Sequence, residues 1–291
     1  MNTVGKAPVL RDRAVVVTGG SMGIGYACAE AVLSAGARVV IAARGETALR
    51  DAGAALADRH GVDRVLVQRC DVSREAEVAA LFDAASGRFG PVYGVIHAAA
   101  VIGPIGPLAD AEPEEWFEAV RIDLFGSFLI LREAARRMRE GGGRIVVLSG
   151  GGATSAFPRY SAYAASKAGV VRLVETAARE LEPFGIAVNA LAPGFVATRM
   201  HDATLAAGDR AGADYLARTR QELAEGGVAP EVAAGAAVFL LSDASEGITG
   251  RLHAAPWDSV DAWSRHASDI AAGDLFTLRR IVPRDRGMEW Q

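Results

Sequence analysis

Ala14-Val15-Val16-Val17-Thr18-Gly19-Gly20-Ser21-Met22-Gly23-Ile24-Gly25 is the stretch on which the fold turns. Its apolar, mostly β-branched start predicts a short buried strand, and the Ala-rich run that follows, to about Ser34, predicts a helix. Between them the glycines allow a tight turn that a ligand can approach closely. A strand, a glycine turn and a helix start together present free N–H groups and a partial positive charge, which suits a pyrophosphate. Gly19, Ser21, Met22, Gly23, Ile24 and Gly25 form this candidate cofactor site, although the spacing Gly19-x-x-x-Gly23-x-Gly25 differs from the dinucleotide fingerprint Gly-x-Gly-x-x-Gly.

Outward from this turn the same alternation continues. Strands are expected at 37–42, 64–70, 92–97, 144–148 and 186–191, and helices at 46–59, 74–86, 113–138, from Tyr163 to Leu181, and at 230–241. Continuous apolar strands separated by helices mean a parallel sheet covered on both faces, so the fold class is α/β, a doubly wound Rossmann sheet. We expect one domain over 1–254. Within it, 195–227 loosens into Thr198-Arg199-Met200-His201-Asp202, a small-residue stretch and a helix around 213–225, and reads as a substrate lid. The extension 255–291 carries Trp257, Trp263, Phe276 and Trp290 among arginines; aromatics this frequent argue against disorder. It is expected to pack on the domain or on a neighbouring subunit.

The 291 residues are 51% hydrophobic and 23% charged, enough for a sizeable core, and the formal charge of -4 with no lysine-rich run excludes a nucleic-acid surface. Cys28 and Cys70 have neither metal spacing nor the density of a disulfide scaffold, which fits a reducing, cytoplasmic setting. No metal site is expected. The N-terminus mixes Lys6, Arg11, Asp12 and Arg13 with little apolar length, unlike a signal peptide. The longest charge-free stretch, 89–109, is broken by Pro91, Pro104 and Pro107 and does not read as a membrane span.

Tyr163 and Lys167, four apart on a helix, share a face. A neighbouring ammonium favours the phenolate, so Lys167 is expected to lower the Tyr163 pKa and make it an acid-base group.

Together these residues resemble the short-chain dehydrogenase/reductase superfamily, over roughly residues 10–254. Thr18-Gly19-x-x-x-Gly23-Ile24-Gly25 is similar to its cofactor turn, Tyr163-x-x-x-Lys167 to its catalytic pair, Asp71-Val72 to its adenine contact, and Asn189-x-x-x-Pro193-Gly194 with Val196 and Thr198 to its nicotinamide-side loop. The chain departs from the family at three places. His97-Ala98-Ala99-Ala100 stands for Asn-Asn-Ala-Gly, with Ala98 and Ala99 still expected beside the cofactor; Asp123 stands for the relay Asn; Gly150 stands for the catalytic Ser. A carboxylate at 123 could pair with Lys167 or accept a proton. Ser149 is a candidate replacement for the missing hydroxyl, with Thr154, Ser155 and His201 as weaker ones. His97 reads as a satisfied core histidine.

In such folds an acid at the end of the second strand binds a ribose hydroxyl, and an Arg suits a 2′-phosphate. Ala42-Ala43-Arg44 has no acid, so the expected cofactor is NADP, clamped by Arg44, with NAD possible. The resemblance implies an oxidoreductase that interconverts a secondary alcohol and a ketone, and homodimers or homotetramers built through the long helices. The Ser-Gly-Gly-Gly run and the tail resemble a bacterial branch linked to sugars and secondary metabolites, which implies a sugar-like, cyclitol or polyketide-type substrate. The altered Ser and Asn positions leave open a non-redox catalyst (epimerase, dehydratase or cyclase) and a nucleotide-binding regulatory protein.

Overall fold

In the computed structural model, which describes residues 9–290, seven parallel strands form one sheet in the order β3-β2-β1-β4-β5-β6-β7. They are β1 (Ala14–Thr18), β2 (Arg38–Ala43), β3 (Val65–Arg69), β4 (Val92–His97), β5 (Gly143–Leu148), β6 (Ile186–Ala192) and β7 (Leu252–Ala254). The N-terminal part of the segment read above, including Lys6, lies outside the described residues. Helices cover both faces. On one face α1 (Gly23–Ser34), α2 (Glu46–His60) and α9 (Pro230–Leu241) bury Cys28, Leu33, Leu56 and Leu241 against Val15, Val17 and Ile41. On the other, α3 (Glu75–Phe89), α5 (Gly126–Met138) and α6 (Ser161–Leu181) bury Phe82, Ile130 and Val170 against Val16, Val95 and Val147. Each aliphatic side chain buried this completely contributes about 1.5–3 kcal/mol, which is why these strands are apolar throughout.

The strand order reverses between β1 and β4, and the crevice at their C-terminal ends is where such sheets bind ligands. The expected long helix is present but interrupted: α4 (Pro113–Val120) runs through a π-turn (Arg121–Phe125) into α5. A π-turn widens the backbone by one residue and is frequent at functional sites; Asp123 lies in it.

Segment 195–227 is tied off at its base by an antiparallel bridge between Val196 and Gly227 and by the Val228 N–H bond to the Phe195 carbonyl at 2.7 Å. It holds two helices, α7 (Met200–Ala207) and α8 (Ala213–Ala224). The first was not expected, because Met200 to Ala207 carries too few large apolar residues to show a period. After β7 the chain forms α10 (Val260–Arg265) and α11 (Ala267–Ala272), which bury Trp263 and Ile270 in the same core as α1 and β1. The Leu252 N–H, on the edge strand, bonds to the Phe276 carbonyl at 2.9 Å. Trp257 and Trp290 stay exposed. Among the described residues no helix is long and apolar enough to cross a membrane, and no three metal-binding side chains cluster.

Candidate active site

The glycine turn is shaped by close approach. Gly19, at φ 67°, lies so near the segment after β4 that a Cβ there would be 2.8 Å from the Ala98 carbonyl carbon and the Ala99 nitrogen. A Cβ on Gly25 would be 2.3 Å from the Gly19 oxygen, so only glycine lets the turn close on the start of α1. Met22 precedes α1 without a side-chain cap, and Met22 and Gly23 are exposed while Ser21 and Ile24 are half-buried. The first N–H groups of α1 are therefore open to an anion. A Cβ on Gly23 would lie 3.3 Å from the Thr198 methyl, so segment 195–227 reaches back to the turn. Beside it, Gly194 (φ 80°) passes so close to Pro256 that a Cβ would be 2.5 Å from the ring. Pro193 and Val196 are buried there. Asn189 is occupied structurally: it donates to the Ile248 carbonyl and accepts from the Arg251 N–H, which holds β6 to β7.

At the end of β3, Asp71 accepts from the Ser73 N–H at 3.0 Å and the Ser73 hydroxyl at 2.7 Å. Burial acts to raise the Asp71 carboxyl, but these bonds, with Arg44 and Arg121 nearby, hold it below its usual range. Val72 is buried against Gly126 at the start of α5. Arg44 is exposed at the end of β2.

Tyr163 and Lys167 rise from the first turns of α6 and are 7% and 3% exposed. The Lys167 ammonium donates to the Leu148 carbonyl at 3.0 Å and lies 5.5 Å from the Tyr163 ring centre. Burial raises the Tyr163 phenol, with the Asp123 carboxylate and Tyr215 adding in the same direction. This corrects the expectation that Lys167 lowers it: here the phenol is held neutral. Burial pulls Lys167 down, against the pull of Asp123.

Asp123 is buried, and its Oδ1 accepts the Val101 N–H at 2.8 Å. Among the described residues it forms no ion pair within 4.0 Å, so the expected direct pairing with Lys167 is not made. Burial pushes its pKa up to about 6, against the pull of Lys167 and the Val101 bond.

Ser149 is buried with its hydroxyl unpartnered. Along β5, Val147 belongs to the α6 side and Leu148 to the other, so alternation puts Ser149 on the α6 side. At Gly150 the space of the missing Ser is taken: a Cβ would lie 2.3 Å from the Tyr163 hydroxyl oxygen.

Three aromatic residues beside Tyr163 escaped sequence reasoning. Phe157 stacks on Tyr160 at 4.4 Å, and Tyr215 of α8 meets both rings edge-on at 4.8 and 5.1 Å. The Tyr160 hydroxyl donates to Thr204 of α7 at 3.1 Å, which fastens segment 195–227 to α6. Ile105, Met200 and Ala211 complete this apolar cluster over the phenol. Phe157 and Tyr160, six and three residues before Tyr163, were the sequence signal for it; Tyr215 is too far away in the chain.

The family model described as Enoyl-(Acyl carrier protein) reductase matches residues 19–255. A cis-4-hydroxycyclohexanecarboxylate dehydrogenase of Sinomonas cyclohexanicum is 37% identical over 249 residues, 83% of this chain and 94% of that protein. An NADPH-dependent aldehyde reductase-like protein of Arabidopsis thaliana is 36% identical over 202 residues, 66% of this chain and 75% of that protein. The crystal structure of an NAD+-bound xylitol dehydrogenase superposes with a TM-score of 0.78 at 26% identity, covering 84% of this chain and 98% of that one.

Proposed function

The chain belongs to the short-chain dehydrogenase/reductase superfamily and is an NAD(P)-dependent oxidoreductase, and from that premise we propose that it interconverts a ring-bearing secondary alcohol and its ketone with NADP(H). One observation carries the reading: a neutral phenol, Tyr163, and Lys167 are buried together at the C-terminal end of β5, where Lys167 donates to the Leu148 carbonyl. The residues present fit a dinucleotide. The cradle that a Cβ on Gly19 or Gly25 would fill, and the open start of α1, suit a pyrophosphate. Asp71 and Val72 would face the adenine end, and Ala98, Ala99, Lys167, Pro193, Gly194, Val196 and Thr198 the nicotinamide end. When bound, the nicotinamide supplies or accepts the hydride.

In the reducing direction Tyr163 gives its proton to the carbonyl oxygen. Lys167, anchored on the Leu148 carbonyl, would hold the nicotinamide ribose beside the phenol. Because Gly150 brings no hydroxyl, a second donor to the substrate oxygen falls to Ser149, whose hydroxyl is free; loss of such a donor costs about 10²- to 10³-fold in rate. Segment 195–227 acts as a lid. Its Tyr215, with Phe157, both half-buried and backed by Tyr160, offers flat apolar walls that suit a cyclitol-like or secondary-metabolite ring.

The NADP preference rests on Arg44, exposed at the end of β2 with no acid in the preceding Ala42-Ala43. Arg44 would hold the 2′-phosphate. Exposed Phe117, Phe125 and Phe128 on α4, the π-turn and α5 support assembly as a homodimer or homotetramer. Both cysteines are buried free thiols, which supports a reducing, cytoplasmic setting.

NADPH consumption with a panel of cyclic ketones tests the reading. Tyr163→Phe is expected to lower turnover about 10²- to 10⁴-fold with NADPH binding intact; unchanged turnover removes Tyr163 from the mechanism. Tighter binding of NADH than NADPH would overturn the Arg44 assignment. Gly150 and the raised pKa of Asp123 favour the non-redox alternative, which product formation without net NADPH consumption would establish.

A further inference from the structure

At the ends of the central strands lies a group of polar side chains of which the mechanism above uses only Lys167 and Ser149. Thr18 and His97 are register partners at the ends of β1 and β4, and His97 is in turn paired with Val147 of β5. Val16, Val95 and Val147 all belong to the core on the α5 and α6 side, so by alternation Thr18, His97 and Ser149 face that side as well. Asp123 and Lys167 close over them from the π-turn and α6. All five are buried. Among the described residues, three atoms in the group find no hydrogen-bond partner: His97 Nε2, Asp123 Oδ2 and the Ser149 hydroxyl. Lys167 acts electrostatically on both His97 and Asp123, which places the three in one neighbourhood. Buried polar atoms orphaned in a cluster are the usual setting of an internal water, which needs two to four polar partners.

The proton on His97 can be assigned. The Ala99 N–H donates to the Thr18 oxygen at 3.4 Å, and that oxygen lies 2.7 Å from His97 Nδ1. Among the described residues nothing else accepts from the Thr18 hydroxyl, so its proton goes to Nδ1 and the ring hydrogen sits on Nε2. Burial and Lys167 together keep the ring neutral, with a pKa near 3. Nε2–H is then a buried donor and Asp123 Oδ2 a buried acceptor, each without a partner among the described residues.

We propose, resting on the reductase reading, that His97 is a positioning residue: its Nε2–H, Asp123 Oδ2 and the Ser149 hydroxyl hold one water molecule beside Lys167 and so fix the ammonium and the donor hydroxyl that serve Tyr163. His97 neither takes up nor releases a proton in turnover. The polar groups set against it are the Thr18 hydroxyl from β1, by hydrogen bond, and the Lys167 ammonium from α6, through its charge. A hydrophobic core would have served the sheet as well; the conjunction of a donor, an acceptor and a hydroxyl, all unpaired and all beside Lys167, is what packing does not require.

Two measurements test this. Long-range ¹⁵N–¹H spectra of the histidine-labelled holoenzyme, with His97 identified among the five histidines by its loss in His97→Asn, are expected to show an Nε2–H tautomer that does not titrate between about pH 5 and 9. An Nδ1–H tautomer overturns the proposal. In steady-state reduction of the fastest panel ketone, His97→Asn, which has no donor at the ε position, is expected to lower kcat by about tenfold with KM and the NADPH Kd within about twofold. His97→Gln, whose amide nitrogen reaches that position, restores most of kcat. Equal loss in both variants, or none in His97→Asn, overturns the proposal. If the parent chain reduces no ketone, the reductase reading fails and the tautomer alone decides this one.

Discussion

A methyl group at residue 150 would stand 2.3 Å from the Tyr163 hydroxyl, closer than atoms approach, and Tyr163 is held by Phe157 and the chain around it. Gly150→Ser, although it restores the residue usual in the superfamily, should therefore displace the phenol. Because a misplacement of about 1 Å can cost about 10²-fold in rate, its steady-state turnover should fall by that order instead of rising. His97 gives a prediction of a different kind. Its folded pKa is depressed to about 3, whereas a solvated imidazole takes up a proton near pH 6.5. Below that value the unfolded chain binds a proton that the folded chain refuses, so stability drains as pH falls from 6.5 towards 3, by about 1.4 kcal/mol for each pH unit. His97→Asn removes this loss. Denaturant titrations at pH 7 and pH 5 should show the variant less sensitive to acid than the parent.

At the scale of elements, α7 and α8 are fastened over Tyr163 by the Tyr160 to Thr204 hydrogen bond and the rings of Phe157 and Tyr215. Removing the hydroxyl in Tyr160→Phe leaves the Thr204 oxygen buried, at a cost of about 1–3 kcal/mol. It should loosen the two helices selectively, read as faster amide exchange across 200–224. The strands and most helices were legible because each strand is a short apolar run and each helix a longer periodic one. The π-turn was not, since Ile122, Leu124 and Phe125 continue the helical pattern and one surplus residue leaves no trace in composition. The site shows the same division. Tyr163 and Lys167 are four apart and announced themselves, whereas Thr18 and His97 are 79 residues apart and meet only through strand register. Tyr215 reaches Tyr160 through the folding back of α8, which no local spacing encodes.

For the whole molecule, Phe125 and Phe128 stack on each other at 5.9 Å and, with Phe117, remain exposed on one long helical ridge. If this ridge joins subunits as proposed, Phe128→Asp should shift the sedimenting species towards monomer without altering the fold seen by circular dichroism. The far end of the chain is integral to the core. Trp263 packs against His253 at 4.4 Å and Phe276 at 4.6 Å, so Trp263→Ala should cost about 3–5 kcal/mol in denaturant unfolding. The hydrogen bond from Leu252 to the Phe276 carbonyl also has a consequence for life in a crowded solution. A bare strand at the rim of a sheet is a template on which an identical chain can line up, and repeated pairing of that sort leads to fibres. Here the rim strand is three residues long and one of its donors is already taken by the chain's own tail. The segment around Phe276 thus works as a guard against self-templating, and its loss would be felt as poor solubility and failed refolding at high concentration even where the chemistry survived.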